Sequence, residues 1–407
     1  MSITKIDNFF DNSQLHLIQH AQGGQIIGQV VNQIGKAEPS ATPTFGSTVI
    51  YKFKKSGDDV LDDEYLIIDI SAITGTGGTY IRGVNALGLF MFKAFRLKQN
   101  NENVKVIYPD NVMQNIKYYC NSDEYATLSQ QLGIYSQTDR NTLAGASQRF
   151  AIPLKLLFAV FSKALDMASI KGDLELHAEL RGDVQHCIQT DKTLSTFSIT
   201  NTYLDLQYIK PQPIILNTMR KMYNEKGGLS APWFDITHTL LEKSIALGET
   251  NVQFSLPSLQ HCRIIDIYFF IVATSLRDTV LTSDYTDTFI AITDFSLKSG
   301  GKYLNFGLES NITKSYYDKV ILPRLDFVGW KNILSGTSIE NAYVISFAND
   351  HDSETSETKK YHGGRVFAEN DVVLEVNFSA LAANSKIIAL VREAGRSIVS
   401  KGEIKSL

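Results

Sequence analysis

The glycine-rich run Thr74-Gly-Thr-Gly-Gly-Thr79 is the first place along this chain where residue type and spacing could do chemistry. Glycines free backbone amides to cradle a phosphate, but the run lacks the Gly-Lys-Ser/Thr ending that supplies a cation and a metal-binding hydroxyl. It also leads towards a strand, so no helix N-terminus is aimed at an anion. The run is read as a loop between strands. Of the histidines, His16, His20, His177, His186, His238, His261, His351 and His362, only His16 and His20 share a helical spacing. No acidic or thiol partner follows them at ligand distance. His186 and Cys187 are adjacent, and on a strand neighbouring side chains point to opposite faces, which argues against a catalytic pair. No Gly-x-Ser-x-Gly elbow occurs.

Carboxylates cluster at Asp284 and Asp287 and at Asp350, Asp352 and Glu354, in polar turn-like stretches where solvated loop acids are the plainer reading. A glycosidase would need two of them across a cleft, and an EF-type calcium loop would need a glycine at the turn. Basic and aromatic residues interleave at Met219-Arg-Lys-Met-Tyr223 and Lys314-Ser-Tyr-Tyr-Asp-Lys319. Both suit nucleic acid or a partner acid, and both suit short amphipathic helices, which is the preferred reading. Cys120, Cys187 and Cys262 form no CxxC pair, so they read as buried free thiols in a reducing compartment. Sequons at Asn311 and Asn377 read as chance matches. No catalytic, cofactor-binding or metal-ligating residue is assigned, no cofactor is expected, and the chain is read as something other than an enzyme.

The elements that would position these residues are mostly strands. The 407 residues include 18 Tyr and 22 Phe, which favour half-buried pleated surfaces. A net charge of −4 argues against coating duplex nucleic acid, which needs a concentrated basic face. The N-terminus lacks the charged start and apolar core of a signal peptide, and no apolar run is long enough to span a bilayer, so a soluble chain is expected. Residues 1–40 carry a mild helical rhythm through Phe9, Phe10, Leu15, Ile18, Ile26, Ile27, Val30, Val31 and Ile34. From Thr48 the period becomes two, with strands expected at 49–53, 65–70, 89–95, 104–108, 148–161, 174–180 and 198–209 and a helical stretch at 110–134. Pro211 and Pro213 end this series. A helical piece at 214–223 follows, then strands at 252–256, 264–274, 288–297, 303–308, 342–348, 372–378 and 386–391. The polar run Asn349 to Tyr361 is expected to be an exposed loop. Irregular strand spacing suits Greek-key or jelly-roll sandwiches. The expected division is an arm at 1–40, a first sandwich at 41–210 and a second at 211–407.

Three stretches carry a family resemblance: Arg149-Phe-Ala-Ile-Pro-Leu-Lys-Leu-Leu-Phe-Ala-Val-Phe161, Gly172-Asp-Leu-Glu-Leu-His-Ala-Glu-Leu180 and Thr202-Tyr-Leu-Asp-Leu-Gln-Tyr-Ile-Lys-Pro211. With Lys386 to Glu393 as a last strand, their order resembles the hexon-like double jelly-roll major capsid proteins of icosahedral double-stranded DNA viruses. The resemblance implies an all-β chain of two consecutive eight-stranded jelly-roll sandwiches with short connecting helices. It implies a virion protein, made in the host cytoplasm or nucleus, that forms pseudo-hexagonal homotrimers. Expected partners are further copies, neighbouring capsomers and minor capsid or penton proteins, with an internal membrane reachable through residues 1–40 and no sequence-specific nucleic acid. Trp233, Phe234, Tyr285 and Trp330 are candidate trimer contacts. The alternatives are a β-sandwich carbohydrate-binding or attachment protein, marked by exposed aromatics lining a concave face, and a glycan-active enzyme.

Overall fold

The computed structural model describes residues 28–55, 57, 60–162, 164–211, 213–224, 229–230, 239–256, 263–275, 289–325, 341–347, 365–367, 372–393 and 397–406. The first half of the chain builds two four-stranded antiparallel sheets. Their strands are β1 (Gly28–Ala37), β2 (Thr48–Lys52), β3 (Val60–Ile70), β4 (Phe92–Gln99), β5 (Glu102–Ile107), β6 (Gln148–Pro153), β7 (Leu174–Leu180) and β8 (Ile199–Pro211). The sheet orders are β1-β8-β3-β6 and β2-β7-β4-β5. Sequence neighbours therefore fall in opposite sheets, except for the β4–β5 hairpin within one sheet, which is the jelly roll.

The second half repeats this wiring. Its strands are β9 (Thr239–Ile245), β10 (Asn251–Ser255), β11 (Arg263–Ala273), β12 (Ile292–Ser299), β13 (Lys302–Tyr303), β14 (Ala342–Ser346), β15 (Val373–Phe378) and β16 (Ser385–Glu393). Their orders are β9-β16-β11-β14 and β10-β15-β12-β13, each with one short extra strand. Every strand of the first sandwich thus has a counterpart eight places later. A final hairpin, β17 (Ser397–Ser400) and β18 (Glu403–Ser406), pairs with Leu229–Ser230. Among the described strands, every pairing joins partners within one half.

Side-chain alternation decides which face is dry. On β8, Leu204 and Leu206 are buried while Tyr203 and Asp205 are half-buried. Across the first sandwich the Tyr51 hydroxyl meets the Thr202 hydroxyl at 2.5 Å, and Thr202 donates to the Ile67 carbonyl at 2.9 Å. Those bonds satisfy two buried polar groups and fix one sheet over the other. In the second sandwich Phe269, Phe295, Tyr317 and Tyr343 form one aromatic cluster with ring centroids 5.0 to 5.7 Å apart.

Helices α1 (Pro109–Tyr119), α2 (Ser122–Leu132), α3 (Gln137–Ala144) and α4 (Pro213–Asn224) fill the connections. Pro109 opens α1, and Asn121 caps α2 by accepting from the Asp123 and Glu124 amides. The 110–134 and 214–223 expectations fall on α1, α2 and α4. Residues 28–37 differ from the helical rhythm expected of them: they form β1, and a register shift between Gln29 and Gln33 breaks the period of two. The expected strand at 148–161 stops at Pro153, which supplies no amide hydrogen, and short helical turns follow. Of the 303–308 region only Tyr303 lies in a strand, the two-residue Lys302–Tyr303, because the chain turns at Phe306. Strands β9, β17 and β18 had no sequence expectation.

Strand β14 lies at a sheet edge, and the Tyr317 hydroxyl seals it. That hydroxyl donates to the Val344 carbonyl at 3.1 Å and accepts from the Val344 amide at 2.8 Å. Tyr317→Phe leaves both buried groups without this partner and is expected to cost about 2 kcal/mol, read as a lower urea midpoint with an unchanged m-value.

Candidate interaction surfaces

In a jelly roll the connections alternate between the two ends of the sandwich. The glycine-rich loop belongs to the β3–β4 connection, at the same end as the β7–β8 connection. Thr74–Thr76 pairs with Thr193–Thr196, and Ile81–Gly83 with Ile188–Thr190. The anion site that the glycines could have offered is already filled from within. The Asp191 carboxylate accepts from the Thr79 hydroxyl at 2.6 Å and from the Thr79 and Tyr80 amides at 2.9 Å. Those donors hold the Asp191 carboxyl down at about 2. A Cβ on Gly78 would stand 2.5 Å from the Asp191 Oδ1, so glycine is needed for the approach. The loop is a closed structural turn.

His186 and Cys187 lie in a 3₁₀ turn, Val184–Cys187, rather than on the strand expected from sequence. Cys187 is fully buried, and that burial pushes its thiol up to about 12, far from a reactive thiolate. His177 sits on β7 with its Nε2 2.8 Å from Glu175, which also pairs with Lys52 at 3.0 Å. Among the described residues no group of three or more His, Cys, Asp and Glu side chains could hold a metal ion. None of the described helices is long and apolar enough to cross a membrane. The sequon asparagines converge: Asn311 and Asn377 both donate to Asp294 Oδ1, at 2.8 and 2.6 Å. His16, His20, His238, His261, His351, His362, Cys262, the carboxylates Asp284, Asp287, Asp350, Asp352 and Glu354, the aromatics Trp233, Phe234, Tyr285 and Trp330, and the loop 349–361 lie outside the described residues.

Both basic-aromatic segments place some side chains inward, while Lys221, Tyr316 and Lys319 stay exposed. On α4, Met219 and Tyr223 are buried, and Arg220 bonds the fully buried Asp166 carboxylate at 3.0 Å and the Gly57 carbonyl at 3.0 Å. The partner acid of this segment is therefore on the same chain. At the second segment Thr313 caps the turn, Lys314 pairs with Asp318 at 3.1 Å, and Tyr317 is the buried edge-sealing residue.

A buried polar arrangement joins the two halves, and sequence reading did not assign it. Gln114 on α1 donates to Asp266 on β11 at 2.9 Å, and both side chains are buried. Arg392 on β16 is the cross-strand neighbour of Asp266 and reaches Asn115 of α1 at 3.4 Å. Nearby, Lys105 of β5 is buried on the same side as Ile107, opposite to what the alternation Val104-Lys105-Val106 suggests. Burial pushes its ammonium down to about 6, with Glu393 of the second half pulling the other way. The C-terminal hairpin makes a second bolt. Gln99 at the end of β4 donates to the Gly402 carbonyl at 2.7 Å and accepts from the Ile404 amide at 2.8 Å. Gly402, at φ +76°, lies so close that a Cβ would sit 2.7 Å from the Ser169 carbonyl. Asp266 left one mark in the sequence, a charge inside the most apolar run of the chain.

This wiring can be compared with solved structures. The chain is similar to the PBCV-1 virus capsid, with a TM-score of 0.64 at 13% identity over 93% of this chain and 97% of the other. It is similar to the Faustovirus major capsid protein, with a TM-score of 0.64 at 10% identity over 100% and 98% of the two chains. The Sputnik virophage structure gives 0.57 at 12% identity, over 93% and 88%. The fold is the double jelly roll of viral major capsid proteins. No protein-family model and no curated protein matches the sequence, so at these identities the fold is carried by pattern and topology. In this double jelly roll the halves are held together by buried polar side chains and by the strap Ser397–Ser406.

Lys105 gives a pH test of that joint. Its proton is bound in the unfolded chain up to about pH 10.4 but held in the folded chain only up to about pH 6. The unfolded state therefore binds more protons between those values, and Lys105 makes stability rise with pH across that window. Lys105→Met should flatten the slope and stabilise the chain by about 1–3 kcal/mol at pH 7, checked by urea unfolding at pH 6, 8 and 10.

Proposed function

We propose that this chain is the major capsid protein of an icosahedral double-stranded DNA virus. Residues 41–210, with β1 added, and 211–407 are taken as its two jelly-roll domains. The observation that carries the reading is the repeat of one eight-strand order within a single chain, matched along nearly the whole length of two viral capsid structures. Two similar sandwiches per chain turn a homotrimer into a block of six similar units, which tiles a shell with local six-fold packing. The function is structural rather than catalytic, in keeping with a glycine loop closed on Asp191 and a thiol buried at Cys187.

In this reading the partners are two further copies within the capsomer, the neighbouring capsomers, and minor capsid or penton proteins, all in the virion. Residues 1–40 reach the neighbours or an internal membrane, while β1 within them stays in the sheet. A trimer of this kind needs interfaces of the standard size or larger, with an apolar centre. Light scattering on a sizing column, from low to high salt, tests this. The expected result is a mass three times that of the chain, unchanged by salt because apolar contacts are not screened. A monomer at micromolar concentration would overturn the capsomer reading.

A further inference from the structure

The second sandwich carries a concavity that the coat role does not use. It lies between the β12–β13 hairpin, the end of β14 and the segment Arg365–Phe367, with a volume of about 680 Å³. Its walls include the rings of Tyr303, Phe306, Phe347 and Phe367, with Lys302 and Arg365 beside them, and among the described residues no carboxylate lines it.

Phe306 is the telling residue. It stands at φ +47°, a conformation that a bulky side chain adopts only when its surroundings force it. The force is visible. The buried Asn305 accepts from the Leu297 amide at 2.8 Å and donates to the Ser310 carbonyl at 2.7 Å, and the Leu308 amide closes the turn on the Asn305 carbonyl at 2.7 Å. The turn is fixed, and its product is an aromatic ring 37% exposed at the cavity, level with Tyr303, also 37% exposed. Lys298 sits 4.8 Å from the Tyr303 ring centre and Arg365 5.7 Å from that of Phe367, so both rings are already held by cations. A chain that only needed to turn here would place glycine or asparagine at this position.

We propose that this cavity binds the carboxylated sugar unit of an acidic glycan. Its volume is that of a small-ligand pocket. Exposed rings stack on the apolar C–H face of a pyranose, and Arg365 offers the planar fork that fits a carboxylate. A single-stranded nucleic acid would also stack on the rings. It needs a groove of cations tracking its backbone, and among the described residues this cavity has two cationic side chains in its lining. The proposal stands apart from the coat reading, since it concerns one sandwich and holds in a monomer or a trimer.

Saturation-transfer NMR on the full chain tests it, with N-acetylneuraminic acid, glucuronic acid, galactose and a ten-residue oligothymidylate as probes. Transfer is expected to both acidic sugars, with weak millimolar affinity, and little to galactose. Phe306→Gly should weaken acidic-sugar binding by about tenfold while leaving the unfolding temperature equal or higher, because glycine accepts positive φ without strain. Arg365→Gln should remove the preference for acidic over neutral sugar. No transfer to either acidic sugar, unchanged binding in Phe306→Gly, or binding of the oligothymidylate alone would overturn the proposal.

Discussion

Strand β11 is buried along both of its faces, and most of the architecture depends on that. Ile267, Phe269 and Ile271 point into the second sandwich, where Phe269 meets Phe295 and Tyr343. The other face, with Asp266, Tyr268 and Phe270, is buried as well, and at Asp266 it meets α1 of the first half. Each such side chain contributes about 1.5–3 kcal/mol relative to exposure. A sheet covered on both sides reads as a continuous apolar run instead of an alternating one, which is how Ile264 to Ala273 reads. Phe270 on that face is covered within its own half by Phe289, at 4.1 Å between ring centroids, so the first half covers the Asp266 end. Separating the halves would strip Asp266 of its Gln114 partner.

The C-terminal hairpin repeats the logic at another point. Its backbone is threaded onto Gln99, whose amide satisfies one carbonyl and one amide of the strap. Arg220 does the same for α4 by neutralising Asp166. Three separate contacts therefore set the spacing of two sandwiches that, among the described strands, share no pairing. The buried polar groups supply direction where apolar packing alone would allow sliding.

Much of the fold was legible because alternation and proline punctuation report local geometry. Leu174 to Leu180, Ser198 to Ile209 and the break at Pro211 fall where the structure has β7, β8 and α4. Strand β1 was obscured by its register shift, which turned a period of two into a false period near four. Strands β17 and β18 have four residues each, and β9 carries Glu242 and Lys243 at its centre while pairing with distant β16. Lys105 defeated alternation outright, since a lysine between two valines reads as the wet residue. The joint itself was nearly invisible: glutamine, asparagine and arginine on α1 and β16 are ordinary surface residues until a second sandwich covers them. Only Asp266, a charge within an apolar run, announced that something polar must wait inside. The displayed Phe306 left no signal, because its meaning lies in a backbone angle.

In the proposed capsid role the two sandwiches form one rigid block and three blocks make a six-lobed unit. Negative-stain electron microscopy of the purified full chain tests it most directly. Class averages with a hexagonal outline and six lobes of nearly equal size around a three-fold axis are the expected result. Isolated two-lobed particles, or lobes whose spacing varies from particle to particle, would contradict it.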